Sequence, residues 1–225
     1  MNIFFLDPNP HMCARYHNDK HVVKMILEYS QLLSTAHRIL DGTETIEKRY
    51  VQGSLPARYR SIKRWSLNDY REKVLLSATH INHPSAVWAR ANKENYSWLA
   101  RLNIELLKEY TYRYGKTHAY DSRGLVTFLA DTLPKNIPVG DFTGPTPAMP
   151  DEVKVSSTGN SIYDSVMSYR NYYIKNKTKL ASWKGKVNGR EVPDWYNIHT
   201  DISILGQKYS NGDVPTCQHI LSSTP

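Results

Sequence analysis

The stretch "NDKHVVKMILEYSQLLSTAHRILDG", residues 18 to 42, decides the fold class. Apolar side chains recur at Val22, Met25, Ile26, Tyr29, Leu33, Ala36 and Leu40, the three-and-four spacing of a helix that packs one stripe on a core. Asn18 or Asp19 supplies an N-cap and Asp41-Gly42 a stop. Beside the apolar stripe runs a second one of His21, Lys24, Glu28, Gln31 and Thr35, with Lys20 next to it. Read as the solvent side, it admits two meanings. It is either an ordinary charged face, with Lys24 and Glu28 paired one turn apart, or the floor of a site in which a carboxylate steadies a positive charge or moves a proton while Lys and His hold an anion.

Working outward, "NIFFL" reads as a short buried strand or extended segment, halted by "DPNP". Residues 43 to 73 show little periodicity. They carry Lys48, Arg49, Arg58, Arg60, Lys63, Arg64, Arg71 and Lys73 among Tyr50, Tyr59, Trp65 and Tyr70. "HINHPSAVW" places Pro84 where a first helical turn tolerates it, and apolar spacing predicts one long helix from Ser85 to about Tyr114, capped by Gly115. A shorter helix is expected over 121 to 133. "LPKNIPVGDFTGPTPAMPDE" is too rich in Pro and Gly for anything but a long loop, of a kind that is usually functional or mobile. Helical spacing resumes through Val166, Tyr169 and Tyr173. The expectation is a mainly α, single compact helical domain over 1 to 225, with a short extended segment at its start. Its helical core lies at about 18 to 133, the Pro/Gly-rich loop at 134 to 160, and a basic aromatic helix and tail at 161 to 225.

The 225 residues carry a formal net charge of +8 although only 22% are charged, so the excess is basic and favours a polyanionic partner. The two cysteines, Cys13 and Cys217, match no redox or metal spacing. With no long apolar run and no basic leader, a soluble cytoplasmic protein is expected, without a membrane partner. His17 and His21 are four apart, and His80 and His83 three apart, but nothing completes a ligand set, so neither a metal nor another cofactor is expected.

Two further clusters bear on nucleic acid. In "HINHP", His80, Asn82 and His83 stand where a helix start could offer amides and side-chain donors to a phosphate, or where one of them simply caps the helix. In "SYRNYYIKNKTKLASWKGKVNGR", residues 168 to 190, Arg170, Lys175 and further lysines accompany Tyr169, Tyr172 and Tyr173 with no acidic residue. Basic groups neutralise phosphates and aromatics stack on bases. The two basic aromatic regions are expected to flank the cleft above Glu28 as one phosphate-binding surface.

"NDKHVVKMILEYSQLL" resembles the opening helix of the pyrimidine-dimer DNA glycosylase and abasic-site lyase superfamily, which includes phage endonuclease V and small bacterial proteins. In that family a histidine stands seven residues before the catalytic glutamate, as His21 does before Glu28, and Lys20, Lys24 and Gln31 match further positions of its bacterial branch. "NHPSAVWARANKENYSWLARLNIELLKEYTYRYGK" is similar to its second helix and "YRNYYIKNK" to its basic C-terminal segment. The resemblance covers residues 1 to 116 and little beyond apart from that segment.

It implies a DNA-processing enzyme, phage or bacterial in type, that acts on a base or N-glycosidic bond. Glu28 would be catalytic, with His21, Lys24 and Lys20 beside it, and duplex DNA would be a better partner than single strands. The family's endonuclease uses the amine exposed by methionine removal as its nucleophile. Here the next residue is Asn2, whose size disfavours that removal, so Lys24, or else Lys20, is the internal candidate for an amine. Modification or group transfer on DNA or a nucleotide, and noncatalytic nucleic-acid or host-protein binding, remain the alternative functions.

Overall fold

The computed structural model describes residues 1–53, 56, 58–155 and 158–197. Cys217 and the tail beyond Asn197 lie outside the described residues. The chain is mainly α: α1 (Pro10–Tyr16), α2 (Asp19–Asp41), α3 (Arg71–Val74), α4 (Pro84–Ala89), α5 (Lys93–Tyr114), α6 (Ala119–Ser122), α7 (Leu125–Asp131) and α8 (Ser161–Asn176), with one antiparallel hairpin of β1 (Thr43–Tyr50) and β2 (Tyr59–Ser66).

The frame is α2 packed on α5. Met25, Ile26, Tyr29, Leu32, Leu33 and Ala36 of α2 and Leu99, Leu102 and Leu106 of α5 are all fully or almost fully buried in one apolar cluster. Full burial of a side chain the size of leucine or isoleucine contributes roughly 1.5–3 kcal/mol. Asn18 caps α2 by accepting from the His21 amide at 2.9 Å, and Gly42 ends it. "NIFFL" is an extended segment rather than a strand. Ile3, Phe5 and Leu6 are wholly buried, and the Phe4 amide donates to the Tyr29 hydroxyl.

Several expectations are corrected. The helix expected over 85 to 114 is two, because Arg90 leaves helical geometry and Asn92 starts α5 by accepting from the Asn95 amide. The segment 121 to 133 splits likewise into α6 and α7 at Gly124, which adopts a left-handed conformation at φ 68°. α1, ahead of the expected helical core, is capped by Asn9 with Pro10 in its first turn. The Pro/Gly loop is a pinned strap. Its Lys135 and Asn136 amides donate to Asp41, the Thr143 amide donates to Asn95, and the Thr146 carbonyl accepts from Tyr169. Residues 43 to 66 include the hairpin, whose first strand is exposed throughout. Among the described residues no helix is long and apolar enough to cross a membrane.

Candidate active site

Lys20, Lys24 and Glu28 stand on successive turns of α2 and line one polar cavity of about 320 Å³, together with Met1, Phe4, Tyr172 and Lys177 from distant parts of the chain. That is within the size range of small-ligand sites. Glu28 is the more enclosed member: its side chain is 15% exposed against 67% for Lys24, and the two are ion-paired at 3.0 Å. On the exposed lysine alone such a pair contributes roughly 0.2–0.5 kcal/mol to a helix. The carboxylate therefore sits at the cavity floor with an exposed cation above it.

His21 does not belong to a solvent face. It is 5% exposed, stacked on Phe4 with ring centres 4.1 Å apart, and its Nδ1 lies 2.5 Å from the Tyr173 hydroxyl. Burial drives its pKa down to about 2, with His17, Lys177 and Lys24 pushing the same way. A neutral ring accepting at Nδ1 keeps its proton on Nε2. His21 thus borders the cavity as a neutral group and offers no cation to a phosphate. The reason is local: the extended Phe4 segment lies across the first turn of α2, where helical spacing alone would leave the residue outside.

The rest of the α2 polar stripe holds structure. The Gln31 side-chain amide donates to the Ser77 carbonyl at 2.5 Å, and buried Thr35 exchanges hydrogen bonds with the Thr79 backbone. These contacts bring the 77–83 segment alongside Glu28. His83 is shifted down by burial first, then by the α-amine of Met1 and by His80, with Glu28 opposing. Of the two readings of "HINHP", the geometry gives the cap to His83. The His83 ring accepts from the Ser85 amide, its carbonyl takes the Ala86 and Val87 amides, and α4 is only six residues long. His80 and Asn82 are exposed or nearly so beside it, His80 at a strained φ of 50°.

In the C-terminal basic region the expectation divides. Tyr169 and Tyr173 are core residues and cannot meet a phosphate backbone, whereas Arg170, 22% exposed, is engaged by the Leu6 carbonyl at 2.9 Å, by Asp7 and by the Trp195 ring. Tyr172 does face the cavity, with the Lys177 ammonium 4.6 Å from its ring centre. Lys175 is exposed one helical turn away. In the other basic region Arg58, Arg60 and Lys63 are exposed on the hairpin, and Arg64 reaches Ser77 Oγ at 3.4 Å, so it meets the segment that Gln31 holds.

Sequence reading missed Met1, Lys177 and Leu180 as cavity residues, and a wider hollow of about 550 Å³ on the far side of Lys20 and Lys24. The hollow is lined by Tyr110, Tyr114, Lys116 and Lys186. Only the tyrosine and lysine enrichment hinted at either. Among the described residues no group of three or more His, Cys, Asp or Glu side chains is placed to bind a metal ion. Cys13 is buried, and burial pushes its thiol up to about 12, which leaves it inert as a nucleophile.

No protein-family model, curated protein or solved structure matches the chain. The resemblance of its α2 stretch to the pyrimidine-dimer glycosylase superfamily rests on the motifs alone.

Proposed function

We propose that the protein is a DNA-processing enzyme acting on a base or an N-glycosidic bond, with Glu28 as its catalytic carboxylate. The observation that supports this most is the placing of one largely buried carboxylate at the floor of a cavity bordered by three lysines and a tyrosine. Cleavage at C1′ of a deoxyribose develops positive charge on the sugar next to a phosphate that stays negative. A carboxylate below and ammonium groups around the rim complement both charges. Lys20, Lys24 and Lys177 would hold the phosphate, Tyr172 would stack on a base, and the neutral His21 would orient the sugar or donate one hydrogen bond.

The test is mass spectrometry of nucleosides and strand products after incubation with plain, damaged and modified DNA, using the intact protein and Glu28→Gln. Release of a base or a strand break by the intact protein only is the expected result. A product that keeps its glycosidic bond would make the reaction base modification or group transfer. Equal behaviour of the two proteins would make this a noncatalytic nucleic-acid-binding protein.

A further inference from the structure

We propose that the β1–β2 hairpin is an arm that lies in the major groove of duplex DNA beside the Glu28 cavity and grips it through Arg49 and Arg60. The inference rests on the DNA reading above. Residues directly opposite in an antiparallel pair share a face. The register therefore puts Thr45, Glu47 and Arg49 with Arg64, Ile62 and Arg60 on one face, and Ile46, Lys48 and Tyr50 with Lys63, Ser61 and Tyr59 on the other. Neither face is buried by the body: Ile46 at 67% and Tyr59 at 64% are exposed on the second, and Thr45, Glu47, Arg49 and Arg60 are exposed on the first, where only Arg64 at the root turns to Ser77. An isolated two-stranded ribbon is marginal in water, so a ribbon bare on both sides is built for contact with something else.

The charges say what that is. Near the root each cation has a carboxylate: Lys63 pairs with Glu44 at 2.6 Å and Arg64 with Glu47 at 2.9 Å. Beyond them Lys48, Arg49 and Arg60 have no ion pair among the described residues, and Arg49 stands directly opposite Arg60. Like charges directly opposite destabilise a sheet. An anion lying along that face removes the repulsion.

Shape narrows the anion to a duplex. Two eight-residue strands make a ribbon roughly 25 Å long at about 3.4 Å per residue. The B-form major groove, about 12 Å wide, admits a two-stranded ribbon, whereas the major groove of A-form RNA is too narrow and a free nucleotide would leave the arm idle.

The root is rigid. Arg38 of α2 donates to the carbonyls of Trp65, Glu72, Leu75 and Leu76 and to the Glu72 carboxylate. Arg38 lies ten residues after Glu28, about 15 Å along the helix at about 1.5 Å per residue. That separation equals four or five base-pair steps at about 3.4 Å each.

The experiment compares the full chain with Arg49→Gln/Arg60→Gln, measuring anisotropy of labelled plain duplex DNA, the matching single strand and a matching RNA duplex across a salt series. Both positions are exposed, so circular dichroism should be unchanged. The expected result is about a tenfold loss of duplex DNA affinity and a log-log salt slope lower by about two. Single-strand affinity should stay within about twofold. Duplex binding unchanged by the double substitution would overturn the arm while leaving the DNA reading intact. An equal loss on the RNA duplex would overturn major-groove docking. No salt-dependent DNA affinity in the unsubstituted chain would instead overturn the reading on which the arm rests.

Discussion

The Tyr173 hydroxyl and His21 Nδ1 are 2.5 Å apart, joining α8 to the first turn of α2 through a histidine that stays neutral. Burial holds His21 down to about 2, and does the same to His17 and His37, each to about 4. In the unfolded chain all three titrate near 6.5.

Between about pH 6.5 and 4 the unfolded state therefore binds these protons and the folded state does not. Stability from these groups is intact above pH 6.5 and is lost as pH falls through that window. At pH 5 unfolding should take up two to three protons per molecule from these groups. Calorimetry in buffers of different ionisation enthalpy would measure the uptake, and a melting temperature flat from pH 7 to 5 would contradict it. Tyr173→Phe removes the closer of two partners of a buried ring nitrogen, leaving the Asn18 side-chain amide at 3.4 Å, and should cost about 1 kcal/mol.

Arg113 is the most deeply buried arginine or lysine among the described residues. It ion-pairs with Glu109 and Asp19 and donates to the carbonyls of Arg15 and His17, so it locks the end of α1 to the start of α2 and sets where Lys20 emerges. Arg113→Met leaves Glu109, itself almost buried, with Arg190 alone. Breaking a buried pair from one side costs about 3–5 kcal/mol. At about 2–4 °C per kcal/mol in a chain of this size, thermal melting should fall by roughly 10 °C. A drop of only a degree or two would mean that Arg190 takes over the pairing.

The fold was legible where one period ruled. α2 could be read because its apolar stripe, its Asn18 cap and Gly42 agree. The break at Arg90–Asn92 was hidden because Val87, Ala91 and Trp98 keep the helical spacing across it, although Asn92 followed by Glu94 is itself a cap signal. The hairpin left no alternation to read, since alternation records a buried face and this ribbon has none. Glu28 and Lys24 were legible as part of one helical face. Lys177 and Phe4 were not, because only tertiary packing brings the residue after α8 and one from the N-terminal extended segment to the same turn of α2. Tyr169 and Tyr173 misled for the reason that aromatic residues usually do: a basic neighbourhood in sequence says nothing about which side of a helix is buried.

Binding and chemistry should separate at the cavity. Tyr172→Ala removes a stacking surface worth about 1–3 kcal/mol per base, so KM should rise roughly tenfold with kcat within about twofold. Lys177→Ala should weaken DNA binding and lower the salt slope by about one. Glu28→Gln should leave both binding parameters near those of the intact protein and abolish kcat. Steady-state kinetics on whichever DNA the product analysis identifies would distinguish them, and a kcat loss for Tyr172→Ala as large as that for Glu28→Gln would place the ring in the chemistry.

Imine chemistry needs a free amine that can reach C1′, and the cavity offers Lys20, Lys24, Lys177 and the α-amine of Met1, whose field is felt at His83. Lys24 fits least, because its ammonium is committed to Glu28 at 3.0 Å and an attacking amine must be unprotonated and unpaired. Lys20, on the preceding turn, has no ion pair among the described residues. Borohydride trapping on abasic-site DNA should therefore give a crosslink that survives Lys24→Ala at nearly unchanged yield, and peptide mapping should find the adduct on another amine of the cavity. Loss of the crosslink in Lys24→Ala would show that Glu28 releases that lysine during turnover. Absence of any crosslink while the intact protein turns over substrate would rule out an imine. The carboxylate of Glu28 would then be left to activate water directly.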